Sequence, residues 1–151
     1  SKPAKAQELL TGAQSLFKQR DQYLLPENET RPGPILIIDD NRSLVRLAER
    51  ALQKDGFNVV TAFSGIDGLR KVKEEKPGLI ILDIILPELS GFDILQQVRQ
   101  QTDVPVIMLT SDNHIDSIKK TMALGADDYL LKPISTVELL TRVHNKLDSS
   151  G

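Results

Sequence analysis

Four short apolar runs, each ending in residues able to do chemistry, constrain this chain more than anything else in it. Ile35-Leu36-Ile37-Ile38 leads into Asp39-Asp40, and Leu79-Ile80-Ile81-Leu82 leads into Asp83. Val106-Ile107-Met108-Leu109 leads into Thr110-Ser111, and Tyr129-Leu130-Leu131 into Lys132-Pro133. Short runs of this kind read as strands buried on both faces, the habit of a parallel sheet. In an open parallel sheet, ligands bind outside the carboxyl ends of the strands. The carboxylates of Asp39, Asp40 and Asp83, a hydroxyl and an ammonium are therefore expected at one edge. Clustered acids repel and are costly to desolvate, so they imply a cation. The chemistry this suggests is phosphoryl transfer to a carboxylate, assisted by a divalent metal.

Between the runs, helical stripes recur. Leu44, Leu47, Ala48, Ala51 and Leu52 share one helix face, and Leu139, Leu140, Val143 and Leu147 another. Strands are expected near 35–39, 58–62, 79–83, 105–109 and 128–131, and helices near 43–54, 65–75, 91–101, 115–123 and 136–147. Gly56, Gly78 and Gly125 stand where helices should stop. Alternating strands and helices mean an α/β, doubly wound parallel sheet with right-handed crossovers. Aromatics are only 4% of the chain, so its core must be Ile, Leu and Val.

Residues 1–34 differ in kind. Ala6, Leu9, Leu10, Ala13, Leu16 and Phe17 predict an amphipathic helix over about 4–24. A linker rich in proline (Pro26, Pro32, Pro34) follows. The helix reads either as a surface helix on the next domain or as a dimerising signalling helix. The expected organisation is a helix and linker over 1–34, an α/β domain over 35–147 and a tail over 148–151. Ser1 in place of Met suggests excision from a longer protein. With a net charge of −2 there is no electrostatic case for nucleic-acid binding by this segment. Absence of cysteine excludes thiolate chemistry and is compatible with the expected cytoplasmic location. No apolar stretch approaches the roughly 20 residues of a membrane span.

Each chemical residue also has a plain structural reading. Asp40 and Asn41 could cap the helix that follows, yet two adjacent acids exceed what a cap needs, and hard oxygen ligands suit Mg²⁺. Asp83 could cap a loop before Pro87; as a carboxylate it could instead be the nucleophile that forms an aspartyl phosphate, with Asp39 and Asp40 holding the metal that neutralises the incoming group. Thr110-Ser111 could cap a helix. Lys132 could merely end a strand, or could bind a phosphoryl oxygen as a point charge, its Pro133 neighbour permitting a cis bond. His114 and His144 are isolated and read as exposed surface.

In this order and spacing the set resembles the receiver domains of two-component response regulators, over about residues 35–147. The residues that carry the resemblance run from Ile37-Ile38-Asp39-Asp40-Asn41 through Leu82-Asp83-Ile84-Ile85-Leu86-Pro87 and Gly91. They continue in Met108-Leu109-Thr110-Ser111, Gly125-Ala126-Asp127-Asp128-Tyr129 and Lys132-Pro133. The resemblance implies that Asp83 accepts a phosphoryl group from a histidine kinase or phosphotransfer protein. It implies that Asp39, Asp40 and Asp83 bind Mg²⁺ with the backbone carbonyl of Ile85, and that Lys132 contacts the acyl phosphate. Thr110 and Tyr129 fall at the switch positions. The implied strand order is 2-1-3-4-5, the flavodoxin-like order. The run from Gly125 to Arg142 is similar to a receiver dimer face, so a homodimer through residues 115–147, or through the N-terminal helix, is an open reading. Ser90, Ser111 and Ile134 depart from common family residues without touching the phosphorylation chemistry.

The leading expectation is a phosphorylation-dependent switch that also catalyses its own phosphorylation and dephosphorylation. The alternative is a receiver-like interaction module that is not phosphorylated, against which the complete set Asp39, Asp40, Asp83, Thr110 and Lys132 argues. A haloacid-dehalogenase-type phosphatase needs a second Asp where Ile85 stands. A flavodoxin needs a phosphate loop where Asp39-Asp40-Asn41-Arg42 would repel phosphate.

Overall fold

Each apolar run does form a strand. The structure, a computed structural model, describes residues 33–111 and 115–150. In chain order the elements are β1 (Ile35–Ile38), α1 (Arg42–Lys54), β2 (Val59–Ala62), α2 (Gly65–Glu75), β3 (Leu79–Asp83) and α3 (Gly91–Gln101). They continue with β4 (Val106–Thr110), α4 (Ile115–Ala123), β5 (Asp128–Leu131) and α5 (Thr136–Ser150). The five strands make one sheet in the order β2-β1-β3-β4-β5, every pair parallel. The doubly wound order expected from the resemblance is therefore present. The helix expected over 4–24 and most of the linker lie outside the described residues.

Alternation along the strands builds two apolar layers. Leu36, Ile38, Ile80, Leu82, Val106 and Met108 face one side, against Val72 of α2 and Ile94, Leu95 and Val98 of α3. Ile35, Ile37, Leu79, Ile81, Ile107 and Leu109 face the other, against Val45, Ala48 and Leu52 of α1 and Leu139 and Val143 of α5. Burial on both faces is why these strands read as unbroken apolar runs. Fully burying one such side chain stabilises by about 1.5–3 kcal/mol.

Two boundary expectations need correction. Gly78 does not stop α2: Lys76 takes the left-handed turn there, at φ 48°. Gly78 serves a close approach instead, since an added Cβ would lie 3.0 Å from both the backbone nitrogen and the backbone oxygen of Gly33. At the other end α5 runs to Ser150, so residues 148–150 continue the helix and are not a tail. No proline or glycine interrupts the chain before Gly151, and nothing local ends the helix at 147.

Candidate functional site

The carboxyl ends of β1, β3, β4 and β5 meet at a cleft of about 570 Å³ lined by Asp40, Asn41, Asp83, Ile84, Ile85, Leu86, Pro87, Thr110, Ser111 and Lys132. Asp39 lies just beneath it, 0% exposed. The expected residues are thus brought together, except that Tyr129 stands apart. It is half-buried on β5 opposite Met108, packed against the apolar layer that α2 and α3 cover.

Local structure explains how each acid is held. Asn41 is the N-cap of α1, its side chain accepting from the Leu44 amide at 3.1 Å. Capping is therefore done by Asn41, and Asp40 is left exposed at the cleft. Asp39 Oδ1 accepts from the Asn41 amide at 2.9 Å. Asp83 Oδ1 accepts from the Ile85 amide at 3.2 Å, so Asp83 does brace its loop, and its Oδ2 faces Lys132 Nζ at 3.2 Å. Lys132 Nζ also lies 3.0 Å from Asp39 Oδ2. Asp39 Oδ2 is thus charge-paired yet buried without a hydrogen-bond partner among the described residues. The Lys132–Pro133 peptide is cis, and the Lys132 amide donates to the Thr110 carbonyl at 2.8 Å.

The electrostatics are those of a crowded site. Burial, and then the neighbouring Asp39 charge, push the Asp83 carboxyl up to about 6; Lys132 only partly offsets them. For Lys132, burial would favour the neutral amine, but contact with Asp39 and the charge of Asp83 outweigh it and raise its pKa. One compact ammonium thus stands between two buried carboxylates, with a third acid at the rim.

Carboxylate oxygens of Asp39, Asp40 and Asp83 lie within 4.8 Å of one another. This hard oxygen set, with one buried oxygen lacking a hydrogen bond, fits a small divalent cation such as Mg²⁺. Ile85 sits at the lip, its side chain 73% exposed. Thr110 ends β4 at the cleft, 4% exposed. The expected capping role of Ser111 involves residues 112–114, outside those described, as does His114.

Some contributors were not singled out by function. A Cβ on Gly91 would lie 2.2 Å from the Asp83 carbonyl oxygen, so only glycine lets α3 begin directly against the strand end that carries the acid. Its amide closes the loop by donating to the Ile84 carbonyl at 2.6 Å. A glycine directly after the α3 N-cap, Ser90, was the available signal. His144 is exposed as expected but not isolated: Nε2 lies 2.5 Å from Asp55 Oδ2 and the ring leans on Phe57.

Comparison with known proteins points the same way. A family profile described as "Response regulator receiver domain" matches residues 35–144. The chain is 43% identical over 111 residues to the alkaline phosphatase synthesis transcriptional regulatory protein PhoP of Bacillus subtilis, covering 72% of this chain and 46% of that protein. It is 40% identical over 113 residues to the probable transcriptional regulator ycf27 of Porphyridium aerugineum, covering 75% and 47%. The chain thus spans about half the length of the curated relatives it matches. Among solved structures it is similar to a CheY-like response regulator receiver domain protein from Methanospirillum hungatei, with TM-score 0.74, 28% identity, and 79% and 96% of the two chains covered.

Proposed function

The chain belongs to the response regulator receiver domains, and from that premise we propose that Asp83 takes a phosphoryl group from the phosphohistidine of a histidine kinase or phosphotransfer protein. The observation that carries this reading is Lys132 Nζ held between Asp39 Oδ2 at 3.0 Å and Asp83 Oδ2 at 3.2 Å at a cleft. An Asp83 oxygen attacks phosphorus, an O–P bond forms as the N–P bond breaks, and the imidazole leaves with the electron pair. With its pKa near 6, Asp83 is mostly the nucleophilic carboxylate at pH 7. Lys132 turns from Asp39 and Asp83 toward a phosphoryl oxygen, a role suited to a compact, flexible ammonium. Asp39, Asp40 and the Ile85 carbonyl, with Asp83, would hold Mg²⁺, which when bound supplies charge neutralisation for the transferring group. Water attack on the acyl phosphate returns the carboxylate and inorganic phosphate.

Thr110 and Tyr129 carry the change outward. Thr110 borders the cleft, and Tyr129 lies on the adjacent strand, so a hydroxyl drawn to the phosphoryl group alters the space beside Tyr129. The responding face is α4, β5 and the start of α5, and a homodimer through residues 115–147 would use it. The relatives described as transcriptional regulators support a transcriptional output for the longer protein, working in the cytoplasm.

The test is direct. Incubation with phosphoramidate and Mg²⁺ should give one phosphate adduct by intact mass, abolished by chelation and by Asp83→Asn. An adduct on Asp83→Asn at wild-type yield overturns the assignment.

A further inference from the structure

Helix α4 is held by little of the core. Of its side chains whose burial is described, only Thr121 is buried, and its hydroxyl donates to the Ser117 carbonyl one turn back. By contrast α3 buries Ile94, Leu95 and Val98. That helix also holds α4, at two points. Just past the end of α4, Arg99 Nε donates to the Gly125 carbonyl at 2.8 Å. Gly125 turns there at φ 107°, and an added Cβ would lie 3.2 Å from the Arg99 side chain. Within α4, Lys120 Nζ lies over the Phe92 ring, 4.4 Å from its centroid.

This second contact is unusual from both sides. Asp116 stands one turn before Lys120, the order that favours an ion pair on a helix, yet the two are not at ion-pair distance. Phe92 is one of four phenylalanines in the chain, and among the described residues it packs in neither apolar layer. Its ring is half-buried and spent on the ammonium. Phe92 also follows Gly91, the residue pressed against the end of the strand that carries Asp83. A Gly91 Cβ would lie 2.2 Å from the Asp83 carbonyl oxygen, and the Gly91 amide donates to the Ile84 carbonyl at 2.6 Å. A backbone change at Asp83 or Ile84 therefore reaches the ring through Gly91.

We infer that Lys120 over Phe92 is a catch on α4. Arg99 and Gly125 make the pivot at the carboxyl end of the helix, and the catch holds the helix in its seat in the unphosphorylated protein. Phosphorylation of Asp83 shifts the first turn of α3, the ring leaves the ammonium, and α4 turns about Gly125. That release rests on the proposed function; the seating of α4 in the free protein does not. The path is separate from Thr110 and Tyr129, which act through β4 and β5, since it runs through β3 and α3. An exposed cation–ring contact biases an equilibrium about two- to fivefold. That is enough to favour the seat and weak enough for one phosphoryl group to overcome.

Hydrogen exchange on the full chain tests this, with wild type set against Lys120→Gln, Lys120→Arg, Phe92→Leu and the double Lys120→Gln/Phe92→Leu. Helix propensity is nearly constant among Lys, Arg and Gln. Before phosphorylation, α4 amides should exchange about two- to fivefold faster in Lys120→Gln and in Phe92→Leu. They should keep the wild-type rate in Lys120→Arg, and go no faster in the double variant than in either single one. With Mg²⁺ present, the beryllofluoride concentration that half-saturates the α4 response should fall by about the same factor in the two single variants that lose the contact. Phosphoramidate should form the Asp83 adduct on every protein. Equal α4 exchange in all five proteins, equal acceleration by Arg and Gln, or additive effects in the double variant would overturn the catch. Faster exchange with an unchanged beryllofluoride midpoint would overturn its release by phosphorylation. Absence of the adduct from wild type itself would instead sink the proposed function and the release with it, while the exchange rates still decide the seat.

Discussion

The two edges of the sheet each carry a carboxylate–cation cluster, and they are built to opposite ends. At the amino-terminal edge, Arg99 of α3 donates to the carbonyls of Gly125 and Val104 at 2.8 Å, to that of Thr102 at 3.3 Å, and to Asp127 at 2.7 Å. Asp127 Oδ2 accepts the Val106 amide at 2.8 Å as well. The planar guanidinium is spent on fixed acceptors, and three chain segments are tied together. At the carboxyl-terminal edge, one lysine is shared by two buried carboxylates and an oxygen is left without a hydrogen bond. Saturated polar clusters hold structure in place. An unsaturated one costs stability, and here it lies beside the cleft proposed to receive a phosphoryl group.

The largest expected effect would break that contrast if it failed. Asp83→Asn should remove the phosphate adduct entirely, whereas Asp127→Asn should keep wild-type yield under folding conditions. Conversely Arg99→Ala should destabilise by about 2–4 kcal/mol, because it strands several carbonyls and a carboxylate at once. Urea unfolding checks the second claim and intact mass the first. An Arg99→Ala variant as stable as wild type would show that the amino-terminal cluster is ornamental. Next in size is metal binding: Asp40→Ala should weaken Mg²⁺ by at least about tenfold in a titration while staying folded. Relief of repulsion should raise its metal-free stability by about 1 kcal/mol. Unchanged affinity in both Asp39→Ala and Asp40→Ala would reject the metal site. A smaller, distal effect concerns the switch. Thr110→Ala should retain the adduct at Asp83 but weaken changes in hydrogen exchange across α4, β5 and α5 upon beryllofluoride binding. Loss of the adduct itself would make Thr110 part of the chemistry.

The carboxyl-terminal edge was far more legible in the sequence than the amino-terminal one, for a physical reason. Strand burial writes itself as an unbroken apolar run, so the residue that ends each run is visible, and Asp39, Asp83, Thr110 and Lys132 were found that way. The Arg99–Asp127 tie spans 28 positions and the Asp55–His144 pair 89, and periodicity reports only burial within one element. Gly78 was misread for the same reason. Its glycine character answers Gly33 across the fold and not its own helix. The Asn41 cap was offered together with Asp40, and only the geometry separates the residue that caps from the residue left open to the cleft.

The pH dependence of stability is the sharpest test of why the functional edge is costly. Folded Asp83 keeps its proton to about pH 6, while the unfolded chain releases it near the ordinary value of 3.8. Between those values the folded state binds more protons, so stability falls as pH rises through the window. A displacement of that size would weigh about 3 kcal/mol in full. The cleft is open to solvent, which screens the charge, so about 1–2 kcal/mol is expected. Asp83→Asn should therefore be more stable than wild type by that amount at pH 7, with the advantage gone below pH 4. Saturating Mg²⁺ should shrink the advantage at pH 7, because the cation supplies the charge that burial and Asp39 deny. Urea titrations at several pH values read this directly. A stability gain of constant size across the whole range would mean that packing, and not a buried charge, sets the cost of this edge.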